Sequence, residues 1–511
     1  MEEGTIFQGQ AANQNPLPQR NQSEAIAPQP SNPVTASENP STTPSAPAAE
    51  PQPSNNPYAF KNASNPPPIP GNHKSKILKI LVIVGVILFI LIILMFVLSL
   101  LKSGKSNKSQ GIVTLNYWGT QEDPSVINPV IADFEKENPN IKVVYTKQDP
   151  SDYRERITAR IGNGNNPPDV FKFHNTWYPM FKNILLPLPK ETIEKTDFQN
   201  NYYDVAQNDL IKNGAIYGIP LEIDTLSMFI NSDLMNANGD SIPVPTTWQE
   251  FINASQKLTQ RDENGKISVA GAAIGTYENV KHAPDIISLL FVQNGVDMNN
   301  FTASDRKVSD ALSFYTNFAL IENNVWDDTL DDSILAFSQG KAAMVFGYSS
   351  DYFAIKTTNP NLNFEVKPVP QLVNNSPVNF ASYWADGVSS ASKHQNEALL
   401  FMKFLGRKDT QEKLFAQASK VRQFGEPYSI KSLADKLSDS PEFVFVNQAK
   451  TAKSSPFVDS TNDNGLNNQL DNLLKDAVNA TLENKSDSTT IQTLFDGYNQ
   501  VIGQYSGNGN N

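Results

Sequence analysis

A mixed α/β architecture, folded as two lobes, is predicted for residues 111–511 of this chain. Two observations predict it. Strand-like and helix-like hydrophobic patterns alternate, with turn residues at their junctions. The segment also exceeds the ~250–300 residues at which a single core stops growing.

The elements follow in order. Residues 112–118 read as a strand closed by Gly119. Residues 128–138 read as a helix with Val130, Ile131 and Phe134 on one face. Pro139 cannot continue that helix, so ENPN turns the chain into a second strand at 141–145. A helix over 153–161 ends at Gly162 and the NGNNPP loop. Pro167 and Pro168 force extended backbone into a third strand at 169–173. Strand–helix–strand–helix–strand implies a parallel sheet. Such sheets bind ligands beyond the carboxyl ends of their strands. The loops beginning at Trp118 and His174 therefore lie where ligand would sit.

Later segments continue the style. Strands are expected at 226–231 and 342–346. Helices are expected at 247–260, 283–294, 309–322 and 397–405. The first is capped by Thr246 or Thr247, with Glu250 in its first turn. The last should pack through Leu400, Phe401, Phe404 and Leu405.

The preceding residues differ in kind. Residues 1–73 hold 15 of the 35 prolines among Asn, Gln, Ser and Ala. Such a tail buries too little apolar surface to offset its ordering entropy and is read as disordered. Residues 77–101 form an apolar run, uncharged from 80 to 101 and broken only by Gly85 and Ser99. About 20 such residues cross a bilayer as a helix, so an uncleaved transmembrane anchor is expected there. Lys74, Lys76 and Lys79 precede it and Lys102, Lys105 and Lys108 follow it, so charge does not orient the span. Residues 102–110, KSGKSNKSQ, are a polar linker.

Composition excludes several functions. With no cysteine there is no disulfide, no thiolate chemistry and no lipidated cysteine anchor. Residues 111–511 carry 33 basic and 48 acidic side chains, a net charge of −15, which argues against nucleic acid as partner. The four histidines are dispersed, and there is no HExxH or GxSxG. No cofactor or metal is expected. The Asp459, Thr461, Asp463 spacing lacks the glycine and final glutamate of a calcium loop. The acidic cluster Asp327, Asp328, Asp331 and Asp332 reads as a solvated face.

A set of motifs then appears in a fixed order. They are YWGT at 117–120, FEKENPNIKV at 134–143, PPDVF at 167–171, YGIPLEIDT at 217–225 and NSDL at 231–234. PTTWQEF at 245–251, FSQGKAAMVFG at 337–347, ADGVSS at 385–390 and EALLFMKFL at 397–405 complete it. In this series the sequence resembles the extracellular solute-binding proteins, the family that includes maltose-binding protein. The resemblance covers nearly all of residues 111–505. It implies the type II periplasmic-binding-protein fold, with two α/β lobes, a hinge and an interlobe cleft. Lobe one would be 111–222 plus 368–420, and lobe two 226–366 plus 425–505, with 220–226 crossing between them.

Sugars present apolar C–H faces and many hydroxyls, so their sites use aromatic rings, carboxylates and amides. On the cleft loops those types are Trp118, Gln121, Glu122, His174 and Asn175. The resemblance adds Asp224 in the interlobe segment, Tyr277 and Glu278 in GTYENV, and Tyr348 and Ser349 after AAMVFG. Trp384 and Asp386 in SYWADG complete the set. The relative carries a tryptophan near position 348, and this chain does not. Trp248 and Trp326 read as core. Tyr202 and Tyr203, a pair that ferric-binding relatives use, fall outside the cleft loops.

The expected function is capture of a carbohydrate or similar small polar solute for the transmembrane permease of an ABC importer. The chain would be a monomer, held by a single span with its binding domain outside the cell. A sensor or surface binder without transporter is one alternative. A glycan-acting enzyme is another, and it would need two carboxylates about 5–9.5 Å apart across the cleft.

Overall fold

The computed structural model describes residues 111–511 except 165, 237–240, 299–300, 303–305, 321–323, 374, 459–464, 484–487 and 507–511, and before them only residue 95. The predicted tail 1–73, membrane span 77–101 and linker 102–110 lie outside the described residues, as does the 459–463 spacing. Among the described residues no helix is long and apolar enough to cross a membrane.

The strands used below are β1 (Val113–Gly119), β2 (Ile141–Lys147), β3 (Val170–His174), β4 (Leu185–Leu186), β5 (Ile219–Pro220), β6 (Ser227–Asn231), β7 (Met344–Gly347), β8 (Phe364–Lys367) and β9 (Trp384–Ser389). The helices are α1 (Pro124–Glu137), α2 (Tyr153–Asn163), α3 (Trp248–Leu258), α4 (Ala283–Gln293), α5 (Arg306–Thr316), α6 (Ser349–Thr358), α7 (Gln395–Leu405), α8 (Lys408–Ala418), α9 (Leu466–Leu482) and α10 (Ser488–Ser506).

The first sheet has the order β2-β1-β3-β9-β4. Its β1, β2 and β3 are parallel, as the alternation with α1 and α2 requires. Strand β9 then inserts antiparallel beside β3, pairing Trp384 with His174 and Asp386 with Lys172. No local pattern forecast that strand. Gly387 lies in it because a Cβ there would stand 2.5 Å from Leu185 Cδ2 and 2.9 Å from the Phe173 ring. A second sheet, β7-β6-β8, is antiparallel throughout.

Local chemistry explains the element ends. Helix α1 begins earlier than expected, at Pro124, and runs through Pro129. Asp123 caps it by accepting from the Ser125 amide at 2.8 Å, and a proline at the first helical position has no amide to waste. Helix α3 is capped by Thr247 in a reciprocal box. Glu250 N–H donates to Thr247 Oγ1 at 3.2 Å, and Thr247 N–H donates to Glu250 Oε2 at 3.1 Å. Helix α5 ends at Thr316, short of the expected 322. In α7 the buried face is Ala398, Phe401, Met402, Phe404 and Leu405. Leu400, expected on that face, is 43% exposed. At about 100° per residue it sits roughly 200° from Ala398, on the outer side.

Two separate hydrophobic cores result. One is built on the first sheet and includes Tyr117, Phe134, Phe171, Phe173, Trp177 and Phe401. The other is built on the second sheet and includes Phe229, Trp248, Phe251, Leu290, Trp326 and Phe346. Trp248 and Trp326 are buried, as their sequence contexts imply. Chain segments contribute more finely than the boundaries implied by resemblance. Val369, Leu372 and Phe380 join the second core. Tyr428, Ile430, Leu433 and Val446 join the first. The reason is pairing: Glu222 bridges Tyr428 and Tyr202 bridges Ile430, which fastens the stretch after residue 425 to the first sheet's side.

Candidate ligand-binding site

The carboxyl end of β3, the start of β9, the 220–226 crossover and the amino end of α6 converge. Their polar side chains form one continuous seam. His174 is fully buried at the end of β3. Its Nδ1 lies 2.8 Å from Thr176 Oγ1 and its Nε2 lies 2.8 Å from Ser382 Oγ. Burial, and then the Arg154 charge, push its pKa down to about 3, so the ring is neutral. Ser382 also faces the Tyr348 phenol. That phenol donates its proton to Asp285 Oδ1 at 2.5 Å. Thr176 Oγ1 in turn donates to Val458 O at 3.1 Å.

Asp224 lies beside this chain. Its Oδ2 accepts from the Ser349 amide at 3.0 Å and the Ser349 hydroxyl at 2.6 Å. Its backbone carbonyl accepts from the Ser382 amide at 3.1 Å. Oδ1 has no protein partner. Burial raises the Asp224 pKa to about 8, against the opposing Ser349 bonds. Near neutrality Oδ1 can therefore offer a proton to a ligand oxygen, and at higher pH it can only accept one.

The second-sheet side of the seam is acidic and braced. His282 Nε2 bonds Asp351 Oδ2 at 2.7 Å, and its Nδ1 stands 3.6 Å from Asp285 Oδ2. Burial would lower the His282 pKa, but Asp351 and Asp285 outweigh it and lift it to about 9. Lys281 Nζ bonds Asp351 Oδ1 at 2.7 Å. Burial alone would raise Asp351, yet His282 and Lys281 hold it far below the usual carboxylate range. Asp351 in turn accepts from the Tyr348 amide at 2.9 Å, fixing the start of α6. The Tyr277 phenol donates to Asp471 Oδ1 at 2.5 Å. Burial, and the bond to that acid, push the Tyr277 pKa up.

The candidate residues thus divide. His174, Asp224, Tyr348 and Ser349 share the seam. Trp384 meets it through the His174 ring, 5.6 Å away and edge-on. It is only 6% exposed and also packs on Trp177 at 5.1 Å, so it begins a central strand as part of a ring cluster. Trp118 and Gln121 are partly buried, and Gln121 Oε1 has no partner. Asn175 is committed to its own surroundings. Its Nδ2 donates to Asp209 at 2.8 Å and its Oδ1 accepts from the Tyr383 amide at 3.2 Å. Asp386 is buried and accepts from the Tyr117 hydroxyl at 2.8 Å. Glu122 belongs to a charge cluster at the crossovers rather than to the seam. Glu278 is exposed and ion-paired with Lys475. Ser382, Asp285, His282 and Asp471 were not singled out by sequence. The one local signal was His282 and Asp285 at i, i+3 about the start of α4.

Residues 118–412 match the sequence model of the bacterial extracellular solute-binding proteins. The chain belongs to that family. This solute-binding protein is 23% identical over 308 residues to the multiple sugar-binding protein of Streptococcus mutans serotype c, covering 57% of this chain and 71% of the relative. It is 22% identical over 335 residues to the galactooligosaccharide-binding protein of Bacillus subtilis, covering 62% and 73%. Among solved structures it resembles the cyclic α-maltosyl-1,6-maltose binding protein of Arthrobacter globiformis. There the TM-score is 0.63 at 15% identity, over 77% of this solute-binding protein and all of that chain. That likeness is one of fold: two domains with mixed α/β structure.

Proposed function

We propose that this protein captures a sugar or oligosaccharide between its two lobes and delivers it to the permease of an ABC importer. The observation that carries the reading is Asp224 Oδ1, a partnerless carboxyl oxygen where both cores and a crossover meet. Near it stand the Tyr348 phenol, the His174 imidazole reached through Ser382 and, edge-on to His174, the Trp384 indole, groups that suit hydroxyls and C–H faces. The relatives' names, sugar-binding and oligosaccharide-binding, favour the same solute class. The ligand set is Asp224, His174, Tyr348, Ser349, Tyr277, Trp118, Gln121 and Trp384. The protein acts as a monomer and binds without turnover. Residues 77–101 anchor it, with residues 111–511 outside the cell.

The test is calorimetric titration of the full-length chain with a maltodextrin series and with galacto-oligosaccharides. One series should bind, and Asp224→Ala should weaken it by about 2 kcal/mol, roughly thirtyfold. Binding of neither series, or unchanged affinity in Asp224→Ala, would refute this placement of the site.

A further inference from the structure

Behind His174 the amino end of α9 reaches the first sheet's side. Val458 and Leu466 belong to the second core, whereas Trp177, next to Thr176, belongs to the first. Gly465 precedes the helix, and a Cβ there would stand 2.5 Å from Nη2 of the buried Arg154 on α2, so a side chain would block the approach. Asn467 follows in the first turn of α9 and is fully buried. Its Nδ2 donates to Pro456 O at 2.8 Å, to Thr176 Oγ1 at 3.0 Å and, at greater length, to Val458 O at 3.2 Å. Oxygens on that side of the amide fix which end is nitrogen. The other end, Oδ1, has no partner. A buried carbonyl without a donor is costly, so an apolar residue would suit this position better if packing were its only role. The N–H bonds are what the asparagine adds.

We propose that Asn467 is a positioning residue of the binding site. From the second core it holds the Thr176 hydroxyl toward Val458, and Thr176 in turn holds the His174 ring with its proton on Nδ1.

Hydrogen-bond accounting at Thr176 gives the reason. A hydroxyl has one proton to donate and two lone pairs to accept with. Thr176 Oγ1 donates to Val458 O at 3.1 Å and accepts from Asn467 Nδ2 at 3.0 Å. Its third neighbour is His174 Nδ1 at 2.8 Å. The remaining lone pair can only accept, so that contact is Nδ1–H donating to Thr176. The Thr176 amide stands 3.5 Å from the same ring nitrogen, too far to compete. Nε2 is then bare and accepts from the Ser382 hydroxyl at 2.8 Å. Without the Asn467 amide the Thr176 hydroxyl is free to turn its proton to Nδ1, and the ring populates both tautomers. The ring at the end of β3 is thus held by a helix of the opposite core. Further along the same side, Lys182 Nζ donates to Tyr505 O of α10 at 2.7 Å, a second tie between the two sides. The inference rests on the proposed function only in taking His174 as a ligand residue.

Imidazole nitrogen NMR of the full-length chain, isotope-labelled at histidine and free of sugar, tests this at neutral pH. The His174 signals are those that vanish in His174→Gln. The wild-type ring should carry its proton on Nδ1. Asn467→Ala should give a mixture with the Nε2–H form, and Thr176→Val, which leaves Nδ1–H without its acceptor, should shift the ring further to Nε2–H. Thr176→Ser keeps the hydroxyl and should retain the wild-type pattern. Asn467→Ser, too short to reach Thr176, replaces Asn467→Ala if that variant does not fold. A wild-type ring protonated on Nε2, or a ring unchanged by loss of the Asn467 amide, overturns the proposal. In the sugar titrations the Asn467 variant should bind about fivefold more weakly, the ratio for one hydrogen bond of ordinary net strength. Unchanged affinity beside an altered ring would remove Asn467 from the binding site. Should the wild type bind neither sugar series, the ligand reading fails, and the NMR result still decides whether Asn467 sets the His174 ring.

Discussion

Asp224 and Ser349 are 125 residues apart in sequence, yet one oxygen of the acid accepts both the amide and the hydroxyl of the serine. The pair ties a crossover segment to the first turn of α6. Ser349→Ala removes the 2.6 Å bond and keeps the amide bond. Unfolding free energy should fall by about 1–3 kcal/mol, the range for a partly buried bond to an ionisable group. Chemical denaturation of the full-length chain measures it. A loss below about 0.3 kcal/mol would mean that the hydroxyl contributes nothing.

Trp384 should behave as a core residue whatever its contact with ligand. It packs against Trp177, His174 and Tyr153. Trp384→Ala is expected to cost about 3–5 kcal/mol, similar to Trp248→Ala. The two should differ in binding. Trp384→Ala should weaken sugar affinity in the folded fraction, and Trp248→Ala should not. Thermal melts and titrations on both variants separate the effects.

Stability should peak in mildly acidic solution. Glu122 and Asp224 have folded pKa values of about 7 and about 8, above their ordinary range. The native state therefore holds protons that the unfolded state has released, and stability rises as pH falls from about 8 toward 5. His174 acts in the opposite sense. Its folded pKa is about 3, so below pH 6.5 only the unfolded chain gains the proton. That group alone should cost about 2 kcal/mol by pH 5. His174→Gln should flatten the acid limb between pH 6.5 and 5. An unaltered limb in melts of that variant would show that another group sets it.

Membrane topology is the remaining prediction. For the anchor proposed at 77–101 the flanking lysines are balanced, so the proposed function sets the expected orientation, with the binding domain outside the cell. Protease added to intact cells should digest the chain beyond residue 110 and spare the N-terminal tail. Protection of the domain with digestion of the tail would reverse the assignment.

The sequence by itself determined the α/β class, the parallel start of the first sheet and the family. Those depend on local periodicity, prolines and glycines, each readable within a few turns of chain. It also placed His174 in the candidate set, at the carboxyl end of a strand in a parallel sheet, and the family resemblance added Asp224, Tyr348 and Ser349. Only the tertiary structure decided what those groups do. The His174 ring is held by Ser382, 208 residues away, and Ser382 carries no local mark. Glu122 reads as a cleft residue until Arg422, 300 residues on, draws it into a charge cluster with Glu426. Trp384 looks like a loop ring until β9 inserts beside β3. Hydrophobic pattern fixes which face of an element is buried. Which distant partner meets that face, and so which carboxyl keeps its proton, is set by packing between elements that share no local code.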